Sequence, residues 1–284
     1  MSLDRTAPVR LRPGREARLR AGHLWVYEGE IADVGDDAVP GGIVDVLDAG
    51  RRFLGRGYYN PASQIRVRLL ARRRVPIDEG FFAGRLRDAL AYRERCRPGA
   101  AAARLVYSEA DLLPGLIVDR YGDYLVLQIL TLGMEVRRDL LLALLAAEIA
   151  PRGIQERSQG ASRAREGLPP RVGPCYGEVP EEVLVRDRGT AYYVDLRAGQ
   201  KTGFFLDQLE NRRTAAAYAA GRRTLDCFCH SGMFGIAAAR AGAASVLGVD
   251  LDEEALHLAG RNAELNGVAG QCRFLAANVF DFLR

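Results

Sequence analysis

Alternating apolar and polar positions dominate residues 1–75. Short alternating segments lie between Gly, Pro and Asp turns: VRLRPG, GGIVDVLDAG, RFLGRGYY and QIRVRLL. This pattern is typical of half-buried strands. A short basic helix is predicted among them, in GREARLRAGH. We therefore predict a small β-barrel-like domain over residues 1–75.

The pattern changes to helical spacing after residue 76. Apolar positions recur at helical intervals in FFAGRLRDALAYRERC and again in MEVRRDLLLALLAAEIA. Between these helices, the runs LIVDRY and YLVLQIL flank a Gly-Asp turn and predict a hairpin. A strand, GIQERS, a loop-like stretch over residues 160–182 and a second hairpin, VLVRDRGTAYYVDL, follow. Residues 76–195 are thus predicted to form a central α+β domain of strand-strand-helix-strand-strand type.

Strands and helices alternate from residue 196 to residue 284. The predicted strands are TLDCFC, SVLGVD and CRFLAAN, each followed by a helical segment. Alternation of this kind implies a parallel sheet with crossover helices. Residues 196–284 are therefore predicted to be the first part of a Rossmann-like domain, which makes the whole chain a multidomain α/β protein.

The composition is that of an ordinary globular chain, with 48% hydrophobic and 27% charged residues. No apolar run approaches the roughly 20 residues of a membrane span, and the start lacks the apolar core of a signal peptide. The five cysteines are odd in number and irregular in spacing, which favours reduced thiols over a disulfide framework or a zinc motif. We expect a cytoplasmic protein with no membrane partner.

Positive charge is concentrated at the N-terminus. Residues 1–75 contain 14 Arg and 9 acidic residues, a net of +5, whereas the whole chain carries +4. A basic module on a near-neutral body indicates contact with a polyanion, the alternative being a solvated basic face. His23 and Trp25, the only tryptophan, lie in this module. Stacking on nucleobases and packing in a small core are both open for these two rings.

One lysine, Lys201, stands among 40 Lys and Arg residues. It lies in GQKTGFFLDQLENR, a polar and aromatic segment that leads directly into a predicted helix. We predict that this segment forms a wall of the active site. Lys201 or Arg212 would contact an RNA phosphate or a cofactor carboxylate. Phe204 or Phe205 would stack on a ring, unless both belong to the core.

The sharpest local signal is a strand, a glycine-containing turn, a helix, a second strand and an acid. Asp226 lies in the first strand, and Asp250 ends the second strand 24 residues later. This arrangement is typical of adenosine-type cofactor sites, in which turn amides approach the ligand and the acid accepts the ribose hydroxyls. Phe228 and His230 stand where a dinucleotide loop would have glycines, which argues against a nicotinamide or flavin. The remaining candidates are S-adenosylmethionine, which has no phosphate, or a βαβ unit without a ligand.

Asn278 ends the third predicted strand, where it would hydrogen-bond the adenine amine, cap the next helix, or do both. Cys227 and Cys229 share a strand face beside His230, but no second ligand pair supports a metal site. They are interpreted as small buried apolar residues or, for one of them, as a nucleophile. The predicted cofactor-binding residues are Phe205, Asp226, Phe228, His230, Ser231, Gly232, Asp250, Leu251 and Asn278. The predicted active-site wall or RNA contacts are Lys201, Gln208 and Arg212.

Several segments together carry a resemblance to one family: YYNPASQIRVRLL, EADLLPGLIVDRYGDYLVLQ, GQKTGFFLDQLENR, LDCFCHSGMFGIAAARAGA and VDLDEEALHLAGRNAELNG. From about residue 8 to the end, the chain resembles the ribosomal RNA large-subunit methyltransferase I family. The resemblance implies a PUA RNA-binding domain, a central α+β domain and a Rossmann-like methyltransferase domain. It implies S-adenosylmethionine as methyl donor and carbon 5 of a cytosine in 23S ribosomal RNA as target. It also implies a homodimer.

Two positions and the end of the sequence depart from the family pattern. Leu209 stands where the family usually has Arg, and Met233 where it usually has a second Gly. The family continues with an Asp-Pro-Pro strand and a Ser-Cys-Ser-like stretch that holds the nucleophilic cysteine, and neither occurs in the 284 residues. We therefore predict no catalytic residue in this chain, partial cofactor binding and no turnover. A three-stranded sheet would also leave a long exposed edge.

Two other functions are compatible with the residues alone. One is a methyltransferase of the same fold that acts on another RNA base or on protein. The other is a non-catalytic RNA-binding module.

Overall fold

The computed structural model describes residues 6–197, 199 and 201–284. The first five residues of the predicted N-terminal domain and Gln200 of the predicted wall lie outside these ranges. The chain divides into two units. One contains the described residues up to 99 together with residues 103–179, and the other contains residues 100–102 and 180–284.

A six-stranded mixed sheet forms the N-terminal part of the first unit. Its strands follow the order β2-β6-β5-β4-β1-β3, and only the pair β1 and β4 is parallel. The elements are β1 (Ala7–Leu11), α1 (Ala17–Arg20), β2 (Trp25–Tyr27), β3 (Ile31–Val34), β4 (Ile43–Leu47), β5 (Phe53–Tyr59) and β6 (Ile65–Ala71). Val9, Val26, Val46 and Val67 are fully buried in one apolar core with Leu19 of α1. β-Branched residues at alternating positions thus form the strands that the pattern predicted.

A five-stranded sheet with helices completes the first unit, in the order β11-β10-β9-β8-β7. The elements are α2 (Glu79–Cys96), β7 (Ala102–Tyr107), β8 (Leu116–Tyr121), β9 (Tyr124–Ile129), α3 (Leu132–Glu135), α4 (Arg138–Ile149), β10 (Gly153–Ser158), α5 (Ala161–Ala164) and β11 (Arg171–Gly177). Asp78 caps α2 by accepting a hydrogen bond from the Phe81 amide at 2.9 Å. The predicted hairpin is present as β8 and β9, paired antiparallel up to Tyr121 and Tyr124.

Two features of this unit differ from the sequence prediction. β11 lies within the stretch predicted to be a loop, because an edge strand tolerates the Gly and Pro of RVGPCYG. The predicted helix after β9 is divided into α3 and α4 at Val136 and Arg137. The Arg137 guanidinium donates to the carbonyl oxygens of Gly41 and Gly133, at 2.9 and 2.7 Å. These bonds hold the break between α3 and α4 next to Gly41, which lies just before β4 of the six-stranded sheet.

The second unit contains a hairpin and a three-stranded parallel sheet in the order β14-β15-β16. The elements are β12 (Glu182–Asp187), β13 (Thr190–Asp195), α6 (Leu209–Ala216), β14 (Arg223–Cys227), α7 (Met233–Arg240), β15 (Ser245–Asp250), α8 (Glu253–Leu265), β16 (Cys272–Ala276) and α9 (Val279–Phe282). The predicted alternation of strands and helices is present. β14 is an edge strand on which Leu225 is 43% exposed. None of the described helices is long and apolar enough to cross a bilayer.

The hairpin of β12 and β13 lies in the second unit, although its sequence position suggested the central domain. Two asparagines of α8 attach it. Asn266 accepts a hydrogen bond from the Ala191 amide at 3.1 Å and donates to the Ala191 carbonyl at 2.6 Å. Asn262 accepts from the Tyr193 amide at 2.9 Å. Helix side chains thereby satisfy one edge of β13, a contact that local sequence patterns do not reveal.

Candidate cofactor site

The loop between β14 and α7 has an unusual backbone. Phe228, His230 and Gly232 have φ values of 59°, 46° and 75°, and the first two are not glycines. Such residues cost about 1–3 kcal/mol each and persist where the surroundings hold them. The Cys229 amide donates to the Val249 carbonyl at 3.2 Å, and the Gly232 amide donates to the Cys229 carbonyl at 2.8 Å. The loop is therefore fastened to the next strand of the sheet.

Gly232 is required by space as well as by conformation. A Cβ at this position would lie 2.9 Å from both the Ala259 side chain and the Phe274 ring. Its left-handed φ also suits glycine. Gly232 thus lets α7 begin close against α8 and β16.

Asp250 ends β15 beside this loop. One carboxylate oxygen accepts the His230 amide at 2.8 Å, and the other accepts the Asp252 amide at 3.1 Å. A carboxylate oxygen accepts more than one hydrogen bond, so each oxygen can still accept one ribose hydroxyl. Leu251, the next residue, is 69% exposed. The backbone therefore fixes the orientation of Asp250 at the strand end, where parallel sheets bind ligands.

Asp226 lies on β14 and faces the start of α7. It accepts the Gly235 amide at 2.8 Å. Burial raises its pKa to about 6, the Gly235 hydrogen bond opposes that rise, and the charge of Asp250 adds to it. The carboxyl group consequently titrates just below neutral pH. A nearby cation would favour its ionised form.

The predicted wall and the loop meet at Phe205 and His230. The two rings are in edge-to-face contact with centroids 5.6 Å apart. The Lys201 ammonium lies 4.2 Å from the Phe205 ring centroid and 4.0 Å from an Asp207 carboxylate oxygen. Burial lowers the pKa of His230, so its imidazole is neutral at pH 7. The structure thus brings together three of the residues that the sequence singled out.

Phe204 and Arg212 lie in the interior instead. Phe204 is buried and stacks on Tyr192 with ring centroids 4.2 Å apart. The Arg212 guanidinium lies 4.5 Å from the Phe204 ring and donates to the Phe205 carbonyl at 2.6 Å. Arg212 is only 6% exposed, so it positions the Phe204–Phe205 segment. Its Nε is buried and has no partner in the described part of the chain.

The contacts of Gln208 and Ser231 say less about a role in cofactor binding. Gln208 accepts a hydrogen bond from the Asn211 amide group at 2.9 Å, within its own segment. Ser231 is buried, and its carbonyl accepts a hydrogen bond from the Asn262 side chain at 3.2 Å. The structure places Ser231 inside the loop and gives Gln208 no contact with that loop among the described residues.

Asn278 caps α9. Its amide oxygen accepts the backbone N–H groups of Phe280 and Asp281, at 2.9 and 3.4 Å. The side-chain group left for a ligand is the NH₂ donor, which suits an acceptor nitrogen of the adenine ring better than its exocyclic amine. Phe228 and Phe280, both exposed, are in contact beside it with ring centroids 5.7 Å apart.

Burial makes two cysteines of this unit, Cys229 and Cys272, poor nucleophiles. Cys229 is buried, and burial raises the pKa of its thiol to about 12. Burial also raises the pKa of Cys272. Cys227 is half-buried on β14. The described residues hold no cluster of three or more His, Cys, Asp or Glu side chains suited to a metal ion.

Sequence reasoning missed Asn262. This residue is fully buried and joins the Ser231 carbonyl of the loop to the Tyr193 amide of β13. The available signal was the pair of asparagines four residues apart in GRNAELNG, on the face of α8 that carries buried alanines. Polar residues at buried helix positions need partners.

These features fit S-adenosylmethionine. Asp250 offers two oriented acceptors for ribose hydroxyls, Asp226 offers a carboxylate for a cation, and the buried Arg212 Nε is a donor without a partner among the described residues. The loop has no glycine run to hold a pyrophosphate. The arrangement thus suits a cationic adenosine derivative without phosphate.

Comparison with known proteins agrees with this assignment. Residues 9–72 match a family model described as a PUA-like domain, and residues 173–283 match one described as an S-adenosylmethionine-dependent methyltransferase. The ribosomal RNA large subunit methyltransferase I of Aeromonas hydrophila subsp. hydrophila is 41% identical over 98% of this chain and 72% of that protein. The protein of the same name from Tolumonas auensis is 43% identical over 97% of this chain and 71% of that protein. The chain belongs to the ribosomal RNA large subunit methyltransferase I family. It is thus an S-adenosylmethionine-dependent ribosomal RNA methyltransferase by family, and its cofactor is S-adenosylmethionine.

Solved structures show the same fold. A protein from Streptococcus mutans assigned as a SAM-dependent methyltransferase superposes with a TM-score of 0.82, at 23% identity, over 97% of this chain and 72% of that chain. A second protein, assigned as a methyltransferase and solved in complex with SAH, gives a TM-score of 0.84 at the same identity, over 97% of this chain and 71% of that chain.

Proposed function

We propose that the chain binds large-subunit (23S) ribosomal RNA and S-adenosylmethionine for methylation of carbon 5 of a cytosine. The observation that carries the cofactor part is the oriented carboxylate of Asp250, held by the His230 and Asp252 amides. Family membership supports the RNA substrate. The choice of carbon 5 rests on the motifs that the chain shares with the family.

S-adenosylmethionine would supply an electrophilic methyl group on its sulfonium. The described residues would orient it: Asp250 through the ribose and Asp226 through charge. Asn278 would donate to the adenine ring through its side-chain NH₂. None of these groups needs to move a proton during methyl transfer.

Carbon 5 of cytosine is a weak nucleophile, so the reaction also needs a thiolate. The thiolate would add to carbon 6, carbon 5 would take the methyl group that S-adenosylmethionine supplies, with S-adenosylhomocysteine as the leaving group, and a base would remove the carbon 5 proton as the thiolate leaves. Burial raises the pKa of Cys175 to about 11 and that of Cys229 to about 12, which opposes thiolate formation. We propose that residues 1–284 bind cofactor and RNA without completing this reaction.

Tritiated S-adenosylmethionine tests this proposal directly. The 284-residue protein is incubated with ribosomal RNA that lacks the modification, and RNA-bound tritium is counted. We expect retention of labelled cofactor on the protein and no label in RNA. Label on carbon 5 of cytosine would disprove the proposal that residues 1–284 do not complete the reaction. The variant Cys227→Ala would then test whether the Cys227 thiol is the nucleophile.

Mass mapping of any methylated product distinguishes the other functions. Label in a different base, or in protein, would contradict the carbon 5 assignment. Light scattering tests the homodimer, which stays a prediction.

A further inference from the structure

A large cavity lies within the first unit, where β2 and β6 of the six-stranded sheet approach the five-stranded sheet. Its volume is about 840 Å³. Six of the residues that line it carry the argument: Trp25, Tyr27, Arg68, Glu109, Arg165 and Glu166. This volume lies within the range of small-molecule sites, which is about 300–1,000 Å³. None of the assigned cofactor residues belongs to it.

Two carboxylates in the cavity wall share one arginine. Glu109 accepts hydrogen bonds at one oxygen from the Trp25 indole at 2.8 Å and from Arg68 at 3.0 Å. Glu166 accepts from the Ser63 hydroxyl at 2.7 Å and from Arg68 at 3.1 Å. Arg68 is thus held between the two carboxylates, and Arg165, which also lines the cavity, balances the second negative charge.

The groups left for a ligand are donors and rings. Arg68 Nε is buried and has no partner among the described residues. Arg165 is exposed at the rim. Trp25 and Tyr27 are half-buried, in edge-to-face contact with ring centroids 6.3 Å apart. Donors beside aromatic surface suit a ligand that combines a flat ring with an anionic acceptor, and a nucleotide has both.

We propose that this cavity binds a single unpaired nucleotide of the RNA, with its base against Trp25 and Tyr27 and its phosphate on Arg165. The proposal rests on the RNA substrate proposed above and adds a place where the first unit recognises an unstacked base. Arg68 Nε would donate to an acceptor on the base. If these residues only held the two sheets together, the hydrogen-bond network of Trp25, Glu109, Arg68 and Glu166 would suffice. The open volume beside the network would then have no role.

The only tryptophan of the chain reports on this cavity. Its intrinsic fluorescence is followed while the 284-residue protein is titrated with cytidine 5′-monophosphate, adenosine 5′-monophosphate, the matching nucleosides and a short unpaired oligoribonucleotide. We expect a saturable change with each nucleotide and tighter binding of the oligonucleotide. A perfectly paired RNA duplex should leave the signal unchanged, because its bases are stacked.

Arg165→Ala should weaken nucleotide binding by about fivefold, as expected for a partly exposed charge contact, and leave nucleoside binding unchanged. Arg15→Ala, an exposed arginine outside the cavity, is the matched control. Tyr27→Ala should weaken both kinds of ligand. Circular dichroism would confirm that each variant is folded.

The proposal would be overturned if millimolar nucleotides leave Trp25 fluorescence unchanged while the protein still binds RNA on filters. It would also be overturned if Arg165→Ala and Arg15→Ala behave alike. Nucleotide binding in the cavity without any binding of ribosomal RNA would instead refute the proposed RNA substrate and leave the cavity site intact.

Discussion

Replacement of Asn262 by Ala tests how the cofactor loop is held. The substitution removes the hydrogen bond to the Ser231 carbonyl at 3.2 Å and the one from the Tyr193 amide at 2.9 Å. Asn262 is fully buried, so water does not readily replace it. Each backbone group left without a partner costs about 1–3 kcal/mol. With two such groups, we therefore expect Asn262→Ala to lower the free energy of unfolding by about 2–6 kcal/mol.

Asn266→Ala is the matched control. Asn266 lies one turn later on α8 and also makes two hydrogen bonds to β13, both to Ala191. It has no bond to the loop among the described residues. Its loss also removes a bond to the Asn262 carbonyl at 2.7 Å. The destabilisation should be of similar size, because Asn266 loses three bonds but is half-buried, so water replaces part of them.

Cofactor affinity separates the two variants. Isothermal titration calorimetry with S-adenosylmethionine, below the unfolding range of both proteins, should show about tenfold weaker binding for Asn262→Ala, since about 1.4 kcal/mol of the lost energy ordered the loop. Asn266→Ala should bind like the unsubstituted chain. Equal affinities in the two variants would refute a positioning role for Asn262, whatever their stabilities.

Asp226 and two glycines of the same unit give further predictions, on pH dependence and on packing. Because the pKa of Asp226 is about 6, its ionised fraction falls about tenfold between pH 7 and pH 5. The affinity for the cationic cofactor should therefore fall by up to about tenfold over this range. Calorimetry at several pH values should show this pH dependence in the unsubstituted chain and not in Asp226→Asn. The pKa of Asp226 in the folded protein exceeds the usual value of 3.8, so ionisation of Asp226 lowers the free energy of unfolding as pH rises from about 4 to 6. In chemical denaturation, the free energy of unfolding of Asp226→Asn should depend less on pH over this range. Gly248→Ala would place a Cβ 2.6 Å from the Phe274 ring and 2.9 Å from Cys229 Sγ, and we expect a loss of about 1–3 kcal/mol in unfolding free energy. Gly260→Ala meets no atom within 4 Å on α8 and should gain about 0.5–1 kcal/mol, so equal effects of the two glycine variants in urea denaturation would contradict the packing described.

The sequence was sufficient for features that depend on local pattern. Alternation of strands and helices predicts β14, β15 and β16, and it predicts Asp250 at the end of a parallel strand, where the structure has it. Chain connectivity explains this success, because a parallel sheet with short crossovers brings strand ends to one edge. The GQKTGFF segment, predicted to form a wall of the active site, contacts the loop through Phe205 and His230.

Features that depend on distant partners were not predictable. Trp25 bonds Glu109, which lies 84 residues away, and Asn262 bonds Ser231, which lies 31 residues away. Strand β10 is buried throughout although it reads GIQERS, and the Arg138 guanidinium pairs with one carboxylate oxygen of its Glu156. The sequence predicts Arg212 as a contact to an RNA phosphate or a cofactor carboxylate, yet the Phe204 ring and the Phe205 carbonyl hold it inside. In each case tertiary contacts override the local preference of the residue.

Binding of S-adenosylmethionine to the 284-residue protein tests the central claim most directly. Calorimetry should show one cofactor per chain. Asp250→Ala should weaken binding by about one-hundredfold, since two charge-assisted hydrogen bonds to the ribose are lost at about 1.5 kcal/mol each. The control Glu254→Ala, an exposed acid in the first turn of α8, should bind like the unsubstituted chain. No binding by the unsubstituted chain, or equal binding by Asp250→Ala, would contradict the account.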